Sequence, residues 1–93
     1  MAERITDKHL QGLCDRLNRL TGSPLVPYLK VGDKHVAQIG NYHLSYAYGG
    51  VALHRMPSAG GGVNEPLYTG HVSKRELCGR MHAFILGIES TKS

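Results

Sequence analysis

The sequence predicts an α+β fold: an N-terminal helix, an antiparallel β-meander of three to five strands, and a C-terminal helix packed on one sheet face. Three observations carry that expectation. Leu10, Leu13, Leu17 and Leu20 recur at three- and four-residue steps, which lines one face of a helix. Leu77, Met81, Phe84, Ile85 and Ile88 do the same near the other end. Between them, short β-branched and aromatic runs are punctuated by Gly, Pro, Asn and Asp, the residues of turns.

Taken in order, residues 1–5 read as a frayed start. Thr6 can cap the first helix, Asp7 suits the positive end of its dipole, and Gly22 fits the left-handed C-cap position. Gly12 inside the helix costs about 1 kcal/mol relative to Ala, which points to close approach of another element. Ser23-Pro24-Leu25-Val26-Pro27 is a linker, because two prolines remove donors and extend their predecessors. Tyr28 to Val31 and His35 to Ile39 read as strands around a Gly32-Asp33-Lys34 turn.

The stretch from Gly40 to Met56 organises the rest. A Gly49-Gly50 loop would set Tyr48 opposite Val51, Tyr46 opposite Leu53 and Leu44 opposite Arg55. One face then carries Tyr42, Leu44, Tyr46, Tyr48, Val51 and Leu53, the other His43, Ser45, Ala47, Ala52, His54 and Met56. The first face belongs in the core, with Tyr42 and Tyr46 as core residues, and the second is open to solvent. Val51 to Met56 also reads as a short helix, since Ala, Leu, Arg and Met are good helix formers; alternation favours the strand.

Residues 57–62 form a flexible Gly-rich loop without the spacing of a phosphate-binding Gly-Lys-Ser/Thr motif. Val63 to Thr69 offers an edge strand that tolerates Pro66. Ser73-Lys74-Arg75-Glu76 is a capping box that opens the last helix, with Glu89 to Ser93 as a tail.

With 93 residues, 41% hydrophobic and 19% charged, the chain is one small domain, 1–93, with room for a binding face but little for a deep cleft. Eleven Lys and Arg against seven Asp and Glu give +4, a tilt toward anionic partners. No apolar run approaches the roughly 20 residues of a membrane span. The start carries no signal-peptide pattern, so the expected setting is cytoplasmic, without membrane contact. The oligomeric state is left open by the sequence.

The strongest candidate site is the start of the last helix, where free N–H groups, the helix dipole and cations can hold a phosphate. Ser73, Lys74, Arg75 and Arg80, joined by Lys34 and Arg55, are the candidate contacts to a nucleic-acid backbone. The alternative is an inhibitor or adaptor that docks on a host protein through an exposed sheet face bearing His43, Ser45, His54 and Tyr48. Cys14 and Cys78, each inside a helix and outside any Cys-x-x-Cys spacing, read as buried reduced thiols. His43 and His54 would sit diagonally across the hairpin, but no third ligand is placed beside them, so neither metal nor cofactor is expected. No nucleophile has a base assigned to it by spacing, and the expectation is a non-enzymatic binding protein.

Two resemblances add to this reading. Leu17-Asn18-Arg19-Leu20-Thr21-Gly22, Gly40-Asn41-Tyr42-His43-Leu44, Ala47-Tyr48-Gly49-Gly50, Gly60-Gly61-Gly62-Val63 and Gly70-His71-Val72-Ser73-Lys74-Arg75-Glu76-Leu77 resemble small uncharacterised proteins encoded by bacteriophages and prophages. That resemblance implies an accessory protein of host takeover, defence evasion or regulation, the class that includes anti-CRISPR proteins. In layout the chain is similar to the double-stranded-RNA-binding domain, with Ser73-Lys74-Arg75 at the helix opening and His35 in the strand region. It departs from that domain at Cys78, where a third cation is usual, in lacking the alanine-rich second helix, and in the segment from Pro57 to Thr69, which has no counterpart.

Overall fold

Helix α1 (Asp7–Thr21) begins and ends where its local chemistry dictates. In the computed structural model, which describes residues 4–57 and 63–92, Thr6 Oγ1 accepts the His9 N–H at 3.1 Å. Gly22 closes the other end with φ 68°, its N–H turned back to Arg19. The leucine stripe is buried, Leu10 and Leu17 completely. Gly12 faces open space, so the expected close approach does not occur there. Ile5 packs against the core, which ties down the end of the segment read as frayed.

Four strands follow: β1 (Tyr28–Val31), β2 (Lys34–Ala37), β3 (Tyr42–Ala47) and β4 (Gly50–Arg55). The α+β class and the strand reading of 51–55 hold, but the meander is split into two separate antiparallel hairpins. The β1–β2 loop is Gly32-Asp33, one residue shorter than read, because Lys34 already pairs with Val31.

The β3–β4 loop is Tyr48-Gly49, not Gly49-Gly50: Ala47 pairs with Gly50, Tyr46 with Val51, Leu44 with Leu53 and Tyr42 with Arg55. Both loop residues have positive φ, 55° and 75°, the pattern of a primed hairpin turn. Gly50 is needed for a different reason. A Cβ there would lie 2.9 Å from the His71 carbonyl carbon and the Val72 carbonyl oxygen, so only glycine lets that backbone pass. The slip re-pairs each residue two positions along, which preserves the faces. Tyr42, Leu44, Val51 and Leu53 still turn to the helices, whereas Tyr48 moves into the loop at 96% exposure.

Tyr46 is also a correction: it is 53% exposed at the rim, with its hydroxyl donating to Asp7 rather than filling the core. Nor is the opposite face open, since Ala52 and Met56 are fully buried. The segment from Val63 to Val72 runs beside β4 and touches it at two isolated antiparallel bridges, Asn64–Arg55 and Val72–Val51, without becoming the expected edge strand.

Helix α2 (Lys74–Lys92) packs Leu77, Met81 and Ile85 on the hairpin and α1. It continues through the residues read as a tail, and Glu89 pairs with Arg16 of α1 at 2.8 Å. Of the 57–62 loop, residues 58–62 lie outside the described residues, as do 1–3 and Ser93. Among the described residues no helix is long and apolar enough to cross a membrane.

One buried amide joins helix to sheet. Asn18 Oδ1 accepts the Tyr42 N–H at 2.7 Å and Asn18 Nδ2 donates to the Tyr42 carbonyl at 2.9 Å, so the side chain takes the place of a neighbouring strand. The same carbonyl accepts the Cys14 thiol at 3.0 Å. Burial, with the Asp15 charge, pushes that thiol up to about 12, which leaves Cys14 a neutral packing group.

Candidate functional site

Two of the cations read at and beyond the start of α2 stand beside carboxylates. Ser73 caps the helix by accepting the Glu76 N–H at 3.1 Å. Lys74 Nζ lies 3.1 Å from Asp7 Oδ1, and Arg80 Nε lies 3.7 Å from Glu76 Oε2. Arg75 is exposed in the first turn. Arg55 places its guanidinium 5.0 Å from the centre of the Tyr42 ring. Lys34 stands on β2, in a hairpin that packs against no helix and no other hairpin.

Asp7 is the hub of this end of the molecule. The Lys74 ammonium first, then the Tyr46 hydroxyl, hold its carboxyl below the usual carboxylate value. Beside it a shallow cleft of about 350 Å³ opens between the β3–β4 loop and α2, lined by Tyr46, Ala47, Gly50, Val51, Val72 and Lys74. Its walls are mostly apolar, so it can seat one small side chain.

The second set of residues is brought together. His43 and His54 are direct cross-strand partners, not diagonal ones, with ring centres 5.8 Å apart. His71, absent from the sequence reading of this face, sits at the middle: 5.9 Å from His54, 5.6 Å from Tyr48, and bonded through Nε2 to Ser45 Oγ at 3.2 Å. Asn41 Nδ2 donates to the Pro24 carbonyl, which identifies Asn41 Oδ1 as the acceptor facing His43 Nδ1 at 3.2 Å. Neutral His43 therefore carries its proton on Nδ1 and presents a bare Nε2. Burial first, then the His54 charge, lower the His43 pKa. At His54 burial again leads; Glu65 partly opposes it and His71 adds to it.

The surface that sequence reasoning missed is the β1–β2 hairpin. Cross-strand pairing puts Leu29, Val31, Lys34 and Val36 on one face and Tyr28, Lys30, His35 and Ala37 on the other. Leu29 is 49% and Val31 56% exposed, and Leu25, Val26 and Ile39 at the hairpin's root are exposed as well. Alternation was the available signal. No family model, curated protein or solved structure matches this chain.

Proposed function

We propose that this is a non-enzymatic docking protein that engages another protein through the β1–β2 hairpin. The observation that carries the proposal is the hairpin itself: two strands with exposed Leu29, Val31 and Val36, packed against no helix and against neither β3 nor β4. A contiguous exposed apolar patch on a small protein marks an interaction surface. An unpaired strand edge offers main-chain hydrogen bonds to an added strand.

The hairpin has Lys30 and Lys34 against Asp33 alone, so the occupant with complementary chemistry is an extended apolar segment bearing carboxylates. A second copy of this chain would bring a hairpin of the same sign. The resemblance to phage-encoded proteins directs the search to bacterial host proteins. The nucleic-acid reading has less support, because Lys74 and Arg80 would have to exchange Asp7 and Glu76 for phosphate.

The test compares tagged wild type, Leu29→Glu/Val31→Glu and Lys74→Ala/Arg75→Ala in capture from bacterial cells, followed by reconstitution from purified components. The expected result is a partner protein bound by wild type and the helix variant but lost from the hairpin variant. Capture that depends on Lys74 and Arg75, brings nucleic acid and falls steeply with salt would overturn the proposal. So would a wild-type dimer that the hairpin variant alone dissolves.

A further inference from the structure

We propose that His9, Cys78 and His82 form a binding site for a zinc-class divalent metal ion, with two imidazoles, one thiolate and an open fourth position. The donors come from two elements. His9 lies in the first turns of α1; Cys78 and His82 are one turn apart on α2, the i,i+4 spacing that puts two side chains on the same helix face. Where the helices meet, the ligand atoms of all three lie within 4.8 Å of one another. Among the described residues no other group of three metal-type donors converges in this way.

The ligand atoms around tetrahedral zinc, bound at about 2.0–2.3 Å, are separated by about 3.3–3.7 Å. Rotamer adjustments of about 1 Å in two exposed imidazoles and one thiol close the difference. The rings of His9 and His82 are tilted 53° at 6.1 Å between centres, so they are not stacked on each other, and an ion can lie between them.

The two cysteines differ in a way that bears on this. Cys14 donates its thiol to the Tyr42 carbonyl, whereas among the described residues no hydrogen bond engages the Cys78 thiol or the ring nitrogens of His9 and His82. His43 and His71, by contrast, each have a bonded ring nitrogen. The unengaged thiol is therefore the one flanked by unengaged imidazoles. Cys78 is 7% exposed and both histidines are at the surface, so the sulfur would bind from below and the imidazoles from the rim, leaving the fourth position toward solvent.

A soft thiolate with two imidazoles selects zinc, cobalt or copper over magnesium or calcium. Binding deprotonates Cys78 and releases that proton to solvent, so affinity rises with pH. Because the ligands span both helices, the ion would join α1 to α2 and stabilise only the folded chain.

Cobalt(II) titration of the metal-stripped protein tests the site. Wild type should bind one equivalent, with the visible bands of tetrahedral cobalt and a thiolate-to-cobalt charge-transfer band, and zinc should displace it. Cys78→Ser should abolish the charge-transfer band. His82→Gln, a surface change that spares the fold, should weaken binding by about tenfold or more through loss of one ligand. Zinc should raise the melting temperature of wild type and not of His82→Gln. Absence of a charge-transfer band in wild type overturns the site, as does unchanged cobalt affinity in folded His82→Gln, or loss of binding in His54→Gln instead.

Discussion

The two antiparallel hairpins have the same two-residue loop length and live under opposite conditions. β3–β4 lies under both helices on one face and beside the 63–72 segment at its edge, and its outer strand is completed by Asn18. β1–β2 has none of these supports. An isolated two-stranded hairpin is marginal in water, and buried apolar area is what usually rescues it. Here Leu29, Val31 and Val36 keep much of their surface in solvent. The contrast teaches that local hairpin signals set the shape of both units, while tertiary cover decides which is structural and which is available.

Truncation tests that contrast with the largest effect. Leu53→Ala removes a fully buried side chain and should cost about 2–5 kcal/mol in urea unfolding. Val36→Ala should change stability by less than about 0.5 kcal/mol. Equal losses at the two positions would mean that β1–β2 is as enclosed as β3–β4.

A smaller loss is expected from Asn18→Ala, which leaves the Tyr42 N–H without its acceptor and one donor missing at the carbonyl. That should cost about 1–3 kcal/mol. Hydrogen exchange should speed up at Tyr42 before it changes at Leu29; unchanged Tyr42 protection would show that the amide is not completing the strand.

The smallest effect is pH dependence, which near neutrality involves His43 and His54 of the enclosed hairpin. His43 and His54 have folded pKa values below the ordinary 6.5, chiefly because burial disfavours their charged forms. Their contribution is full above that value and is lost as pH falls through the lowered folded values. Melting temperature should therefore drop between about pH 8 and about pH 5, and His43→Gln/His54→Gln should flatten the drop. Asp7, held below 3.8, acts in a separate, more acid window: its contribution is present above that value and lost as pH falls through the lowered one. A wild-type profile flat to about pH 5 would remove the histidines from the account.

Much of this architecture was legible because it is local. Caps at Thr6, Gly22 and Ser73 and the periodicity of both helices need only near neighbours in sequence. The faces of β3–β4 were legible despite the wrong loop, since two-residue slippage conserves side-chain parity. What sequence could not supply was tertiary. Gly50 is fixed by the backbone of His71 and Val72, and nothing near it in the chain distinguishes that demand from a turn. Asn18 looks like an ordinary helix residue until Tyr42 is placed against it. Of His9, Cys78 and His82, only the last two have a readable spacing; the first arrives with helix packing.

Asn41, described above for orienting His43, also holds the base of the free hairpin. Its amide nitrogen grips the Pro24 carbonyl on the way in, and its backbone carbonyl accepts the Met56 N–H on the way out. Gly40 N–H donates to Met56 as well, at 2.7 Å. Both ends of the arm are thus tied at one collar, to Pro24 before β1 and to Met56 after β2. An arm whose orientation is set in advance loses less rotational freedom when it is captured. The clamp at Asn41 thereby sets, from one point, the orientation of a hairpin that packs against no helix and against neither β3 nor β4.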